Sequence, residues 1–199
     1  SNTLPRLQTK TFYMNRRDFV RQAGIATAGF AILPKSALFT QDNKVRLAFI
    51  GVGLRGQNHL ELALRRKDTE VVAICDIDER MLQMATDLIK KSGKAMPQVI
   101  KGDPYAYRKL LEIKGLDGVI IATPWEWHCP MVIDALQAGI KYVATEVILG
   151  ITLDGHWKVI REAEKQKANV MMLENVCYRR DVMAVLNMVR QGIFGEIIH

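Results

Sequence analysis

The sequence has few of the residues from which metal centres and disulfide frameworks are built. It contains only three cysteines and four histidines in 199 residues. Cys75, Cys129 and Cys177 are far apart in the chain, and no C-x-x-C pair or His/Cys cluster occurs. An odd number of widely spaced cysteines supports neither a zinc site nor a set of disulfides. We expect all three to be small buried residues, because they lie in or beside apolar runs.

A strong positive charge along the body of the chain is also missing. The formal net charge is +7, but residues 1–40 hold six of the 28 basic residues and one of the 21 acidic residues. That segment therefore carries most of the charge, and the rest of the chain is nearly neutral with no basic stripe. This distribution excludes nucleic acid as an expected partner.

Long hydrophobic runs are absent as well, and no segment is long enough to cross a bilayer as a helix. The apolar run at residues 23–33 is short, rich in Ala and Gly, and preceded by Arg16 and Arg17. Paired arginines before such a run are typical of a twin-arginine export signal. We assign residues 1–40, including the upstream residues before Met14, to this leader and predict a periplasmic or cell-surface protein without stable membrane insertion. The alternative is an amphipathic N-terminal arm.

The informative residues begin with an apolar run at 45–50. Gly51, Gly53 and Gly56 follow it in the spacing G-x-G-x-x-G, and an amphipathic segment comes next. A second apolar run then ends at Asp76, 20 residues after Gly56. Strand, glycine turn, helix, strand and terminal acid in this order match the fingerprint of a dinucleotide-binding unit. The alternative, a glycine-rich turn of no function, would not require the acid at this spacing.

Each part of this fingerprint has a physical role. Gly51 permits a tight turn, Gly53 lets the backbone approach a pyrophosphate, and Gly56 lets the helix pack close to the strand. The helix N-terminus offers free N–H groups and the positive end of its dipole to the phosphates. Asp76 would accept hydrogen bonds from ribose hydroxyls and repel a 2′-phosphate. The predicted cofactor is therefore NAD rather than NADP.

Alternating apolar runs and amphipathic segments continue to the end of the chain. They predict an α/β fold, a doubly wound parallel Rossmann sheet. Residues 41–178 would form the NAD-binding domain, and residues 179–199 a linking helix and the first strand, from Gly195, of a truncated second α+β domain. The strands are predicted at 45–50, 71–76, 98–100, 117–123, 141–145 and 170–173, and the later helices at 79–91, from Pro104, at 130–138, 152–166 and 180–190.

Ligands of such sheets bind beyond the carboxyl ends of the strands. The loop predicted after the fourth strand contains Trp125, Glu126, Trp127 and His128. One interpretation is a wall around the nicotinamide ribose, with His128 or a backbone N–H as hydrogen-bond partner. The alternative is that the two tryptophans only shield the start of a helix.

Two further strand ends carry polar residues. Glu146 follows the fifth strand, and Asn175 lies just past the sixth, which we predict to be buried. Asn175 is the better site candidate of its segment, because Arg179 and Arg180 could equally be surface charges at a helix start.

In five motifs, at residues 51–60, 74–78, 122–128, 146–147 and 172–178, the chain resembles the Gfo/Idh/MocA group of NAD(P)-dependent sugar oxidoreductases. Within that group it resembles the NAD-dependent glycosidases of glycoside hydrolase family 109. The resemblance covers residues 45–199. It implies NAD contacts from Leu54, Arg55, Asp76, Trp125, Glu126, Trp127, His128, Glu146, Val147 and Asn175.

One departure from the wider group bears on activity. Its sugar dehydrogenases usually have Glu-Lys-Pro after the fifth strand, and the lysine takes part in proton transfer. Here the segment is Glu146-Val147-Ile148, and the family 109 glycosidases also lack that lysine. They tend to have Pro or a small residue where Ile148 stands, so the local turn is expected to differ.

The resemblance to family 109 implies an α-N-acetylgalactosaminidase with a small sugar as its substrate. NAD oxidises C3 of the sugar, a base removes the C2 proton, the aglycone leaves from C1, water adds and the hydride returns. Tyr178 would contact the sugar or transfer a proton. A homo-oligomer formed through the missing domain is also expected. The alternatives are an NAD-dependent sugar dehydrogenase and an inactive dinucleotide-binding fragment.

Overall fold

A computed structural model describes residues 44–198, so the predicted leader and His199 lie outside the described residues. The described part contains six β-strands and six α-helices. The strands are β1 Val45–Ile50, β2 Thr69–Asp76, β3 Gln98–Lys101, β4 Gly118–Ile121, β5 Tyr142–Thr145 and β6 Asn169–Met172. The helices are α1 Leu54–Arg65, α2 Glu79–Ser92, α3 Tyr107–Leu111, α4 Trp125–Gln137, α5 Leu153–Gln166 and α6 Arg180–Arg190, with a 3₁₀ turn at Val176–Tyr178.

All neighbouring strands are parallel and form one sheet in the order β3-β2-β1-β4-β5-β6. The fold is therefore the predicted doubly wound Rossmann sheet. Ile50 is in register with Cys75 on β2 and with Ile121 on β4, and Ile121 is in register with Thr145 on β5. The carboxyl ends of these four strands consequently meet at one edge, where the strand order reverses between β1 and β4.

The core lies in two layers, one on each face of the sheet. Side chains alternate between the faces along a strand, so Phe49 belongs to one layer while Ala48 and Ile50 belong to the other. Helices cover both faces, which is why the central strands are apolar throughout rather than alternating. Leu60 of α1 and Leu136 of α4 are fully buried, one in each layer.

Two predicted helix starts are wrong. We expected a helix from Pro104, but residues 103–106 form a turn in which a carboxylate oxygen of Asp103 accepts from the N–H of Tyr105 at 2.7 Å. We also expected a loop before a helix starting at Pro130, whereas α4 begins at Trp125. A proline is favoured in a first turn, and Pro130 instead lies within the helix, at the cost of one backbone hydrogen bond.

The C-terminal part of the described chain also differs from expectation. β6 is an edge strand with Met171 and Met172 largely exposed, not the buried strand that its apolar sequence suggested. Residues 195–198, where a strand was expected from Gly195, form no strand. Cys177 is exposed, while Cys75 and Cys129 are buried as predicted. Within residues 44–198, no helix has the length and apolarity needed to span a membrane.

Candidate dinucleotide-binding site

A cavity of about 290 Å³ opens at the edge where β1, β2 and β4 end. Gly51 and Gly53 form its floor, Asp76 stands at one side, and Tyr107 and Trp127 contribute aromatic walls. Most of the lining is apolar, which suits a flat heterocyclic base with polar groups at its margin. No cluster of three or more His, Cys, Asp or Glu side chains among residues 44–198 could hold a metal ion.

The three fingerprint glycines meet different demands. Gly51 has a left-handed φ of +84°, and a Cβ there would overlap the carbonyl of Ala122, just after β4. A Cβ on Gly56 would overlap the carbonyl oxygen of Gly51. Both glycines are therefore required by the packing of the protein itself. A Cβ on Gly53 would meet nothing within 4 Å, so the space beside this backbone is open to a ligand.

Beside Gly53, helix α1 begins with an uncapped N-terminus. Gly53 is the N-cap residue, no side chain caps the helix, and its first turn contains no acid. The first N–H groups of a helix lack partners within the helix, and the dipole makes this end positive. An open glycine turn and an uncapped helix start together fit the pyrophosphate of a dinucleotide.

Asp76 connects the end of β2 to the glycine turn. Its carboxylate accepts a hydrogen bond from the N–H of Val52 at 2.7 Å and another from the N–H of Asp78 at 2.9 Å. A carboxylate has about four acceptor positions, so two remain for ribose hydroxyls. Arg80 does not reduce the charge of Asp76 by a direct ion pair, because its guanidinium is paired with Asp78 at 2.8 Å.

Glu146, just after β5, forms a partly buried cluster with two residues of α1. Its Oε1 accepts from Arg55 Nε at 2.7 Å and lies 2.5 Å from His59 Nε2. Burial acts to raise the pKa of the Glu146 carboxyl, but the hydrogen bonds from His59 and Arg55 outweigh it and hold the pKa below its ordinary value. Glu146 is therefore an anion at neutral pH.

The sequence analysis named Arg55 and Glu146 as cofactor contacts but assigned nothing to His59. A signal was available in the helical spacing, since residues four apart in a helix lie on the same face. His59 stands four residues after Arg55, so any group that pairs with one is within reach of the other.

The Trp-Glu-Trp-His segment divides into an exposed and a buried part. Trp125 and Glu126 are exposed at the start of α4, and the structure shows neither as part of the cavity lining. Trp127 lines the cavity and packs edge-on against Tyr105, with ring centroids 5.3 Å apart. The interpretation of this segment as a wall around the nicotinamide ribose stays a prediction, for which Trp127 is the one member of the segment that lines the cavity.

His128 does not face the cavity. Its ring is 0% exposed, and its two nitrogens lie 2.7 Å from the carbonyl oxygen of Thr123 and 2.5 Å from that of Ile148. The prediction that the imidazole itself contacts the ribose is wrong for this structure, because both nitrogens are already engaged. The ring instead ties the turn after β4 to the segment after β5.

The remaining predicted contacts lie outside the cavity. Leu54 is 77% exposed at the start of α1, and Val147 is half-buried beside Glu146. Asn175 is exposed beyond β6, and Tyr178 is 69% exposed in the 3₁₀ turn that follows it. Within the described residues, none of these four side chains lines the cavity.

A parallel sheet with this strand order and a glycine turn backed by an acid define a dinucleotide-binding Rossmann domain. Residues 45–174 match the oxidoreductase family named Gfo/Idh/MocA, described by its NAD-binding Rossmann fold, and the chain belongs to that family. Its cofactor is NAD. Residues 178–199 match the C-terminal domain of glycosyl hydrolase 109.

The similar proteins agree with this assignment. A glycosyl hydrolase family 109 protein of Stenotrophomonas maltophilia is 51% identical over 190 residues, which cover 94% of this chain and 41% of that protein. An α-N-acetylgalactosaminidase of Shewanella oneidensis is 39% identical over 206 residues, with 94% of this chain and 45% of that protein covered. The chain thus spans less than half the length of these relatives.

Solved structures confirm the fold. Myo-inositol 2-dehydrogenase from Lactobacillus plantarum superposes with a TM-score of 0.65 at 22% identity, covering 78% of this chain and 43% of that one. Scyllo-inositol dehydrogenase from Lactobacillus casei, solved with NAD(H) and scyllo-inositol, gives a TM-score of 0.66 at 17% identity, covering 77% and 43%. At these identities the likeness concerns the fold alone.

Proposed function

We propose that this chain is the NAD-binding part of a glycosidase that hydrolyses α-N-acetylgalactosaminides by transient oxidation at C3, elimination and re-reduction. The observation that supports it most directly is Val147, which stands beside the buried Glu146 where sugar dehydrogenases of the wider family usually have a proton-transferring lysine. The similarity to family 109 proteins over 94% of the chain supports the same activity.

The chain's own residues would bind and orient the cofactor. Gly53 and the N-terminus of α1 would hold the pyrophosphate, and the free acceptor positions of Asp76 would bind ribose hydroxyls. Trp127 and Tyr107 would pack against the heterocyclic base that binds in the cavity. Bound NAD supplies the hydride acceptor for C3 of the sugar and the source of the returning hydride.

Further contacts to NAD are proposed on the strength of the resemblance. Glu146 and Val147, which follow β5, are proposed to contact the nicotinamide half of the cofactor. His128 would act there by holding its loop in place, through the two carbonyls that its ring contacts. Tyr178 is proposed to contact the sugar or transfer a proton. The other proposed contacts are Leu54, Arg55, Trp125, Glu126 and Asn175.

The proposed reaction is tested by its products: the aglycone released, the net NADH formed and the hydrogen isotope at C2. Oxidation at C3 acidifies the C2 proton, a base takes that proton, the C1–O bond breaks with the aglycone as leaving group, and water adds before re-reduction. The full-length protein should release the aglycone of an aryl α-N-acetylgalactosaminide over many turnovers without net NADH. In D₂O the released sugar should carry deuterium at C2.

Two results would contradict this proposal. NADH that accumulates one-for-one with sugar consumed would identify a sugar dehydrogenase. Hydrolysis without deuterium at C2 would identify a direct displacement at C1 with no elimination step.

We also propose that the protein is exported by the twin-arginine route, on the basis of Arg16 and Arg17 before the short apolar run. Export of a folded protein suits one that binds NAD in the cytoplasm. Replacing both arginines with lysine should retain the protein in the cytoplasm on cell fractionation. Unchanged export of that variant would rule out the twin-arginine route, and wild-type protein that stays in the cytoplasm would argue for the N-terminal arm.

A further inference from the structure

The cluster of Glu146, Arg55 and His59 contains more hydrogen-bond donors than are needed to neutralise the carboxylate. Arg55 alone supplies a positive partner for the carboxylate, at 2.7 Å. His59 nevertheless contacts the same oxygen, Oε1, at 2.5 Å. Among the described residues, the other oxygen, Oε2, has a single hydrogen-bond contact, at 3.3 Å with the N–H of the adjacent Val147.

Two donors on one oxygen determine how the carboxylate is turned. The last torsion of a glutamate side chain has a broad, two-fold profile, so a carboxylate with one partner rotates readily. Donors arriving from two side chains restrict that rotation. The geometry leaves acceptor capacity on Oε2 while both α1 side chains are committed to Oε1.

The ionisation of Glu146 also determines the role of His59. Because the carboxylate cannot donate, His59 Nε2 must be the donor in their hydrogen bond. Both residues are largely buried, with side-chain exposures of 15% for His59 and 9% for Glu146. A hydrogen bond to a charged group in such a setting is stronger and more strictly oriented than one on the surface.

We propose that His59 is a positioning residue of the NAD site, which holds the Glu146 carboxylate with Oε2 turned toward the nicotinamide half of the cofactor. This rests on the proposed contact between Glu146 and NAD, but not on the glycosidase chemistry. His59 itself touches no part of the cofactor in this account. It acts only through Glu146.

The test compares NAD with ADP-ribose, which lacks the nicotinamide, by calorimetric titration of the full-length protein. His59→Leu should weaken NAD binding about tenfold, the equivalent of about 1.4 kcal/mol, and change ADP-ribose binding little. His59→Gln, which keeps a side-chain donor, should recover most of the NAD affinity. His156→Leu is the matched control, because His156 lies on α5, does not line the cavity, and its Nδ1 is hydrogen-bonded to the carbonyl oxygen of Thr152.

A double-mutant cycle separates positioning from a general structural effect. If His59 acts through Glu146, the double variant His59→Leu/Glu146→Gln should bind NAD no more weakly than the weaker single variant. Equal losses for NAD and ADP-ribose, additive effects in the cycle, or failure of His59→Gln to recover affinity would each overturn the inference. None of these results bears on the aglycone and NADH assay, so the two proposals fail independently.

Discussion

The carboxylate of Asp76 and the backbone N–H of Val52, 24 residues apart in the chain, are joined by a hydrogen bond of 2.7 Å. The acid that closes the dinucleotide fingerprint therefore also holds the glycine turn against the end of β2. We expect the same carboxylate to bind the adenosine ribose, and a substitution that removes only its charge should separate this role from the structural one.

Asp76→Asn is the variant that makes this separation. It keeps an oxygen for the Val52 N–H but removes the negative charge. Like charges ~4 Å apart at an effective dielectric of ~20 repel by about 4 kcal/mol, and solvent reduces this, so we expect the wild type to prefer NAD to NADP by roughly one to two orders of magnitude. Titration with both dinucleotides should show that preference diminished in Asp76→Asn.

Asp76→Ser is the companion variant. It removes the charge and shortens the side chain, so it should lose NAD affinity as well as discrimination against NADP. Equal affinity of the wild type for the two dinucleotides would show that Asp76 does not receive the adenosine ribose.

Two glycine substitutions should have opposite effects on stability and binding. Gly53→Ala should leave the melting temperature nearly unchanged, because its Cβ meets no protein atom within 4 Å, yet it should weaken NAD binding. Gly56→Ala should destabilise the protein, because its Cβ would overlap the backbone of Gly51. Thermal denaturation and NAD titration of both variants test this contrast. Normal NAD binding by Gly53→Ala would show that the pyrophosphate does not bind at this turn.

We expect the stability difference between wild type and Glu146→Gln to depend on pH. A carboxyl whose pKa is lower in the folded protein contributes stability that is complete above its unfolded pKa and is lost as the pH falls through the folded pKa. Although burial acts to raise it, the hydrogen bonds from His59 and Arg55 hold the pKa of the Glu146 carboxyl below its ordinary value. The free energy of unfolding should thus differ between wild type and Glu146→Gln by about 1.5–3 kcal/mol at neutral pH, and the difference should shrink in acid.

Denaturant titrations across the acid range would measure that difference. Glu61→Gln is the control, since Glu61 pairs with Arg65 on the exposed surface of α1 and should contribute little. A difference between wild type and Glu146→Gln that does not depend on pH would mean that the ionised carboxylate is not the stabilising form.

His128→Phe tests the hydrogen bonds by which the buried His128 ring connects the turn after β4 to the segment after β5. The ring volume is kept, but the carbonyls of Thr123 and Ile148 lose their partner, at a cost of about 1–3 kcal/mol for each buried unpaired group. We expect a clear loss of stability in urea, with His156→Phe unaffected because its hydrogen bond to Thr152 is exposed. Wild-type stability of His128→Phe together with lost NAD binding would instead place the imidazole in direct contact with the cofactor.

The architecture and the cofactor are predictable from the amino-acid sequence alone. Apolar runs without alternation predicted strands covered on both faces, and the spacing from Gly51 to Asp76 predicted where the pyrophosphate and ribose would bind. Local signals also held at helix ends: Thr152 caps α5 through its side chain, and Gly93 ends α2 in the left-handed conformation. These features depend on residues close together in the chain, so their pattern is readable without the fold.

The contacts between polar groups that are far apart in the chain are seen only in the folded structure. Glu146 lies 91 residues from Arg55 and 87 from His59, and their contact depends on the strand order that brings the end of β5 beside α1. The burial of His128 depends in the same way on the approach of Ile148, 20 residues later. Periodicity shows which face of an element is apolar, but the partner of a buried polar group is set by strand order and register, which no local pattern encodes.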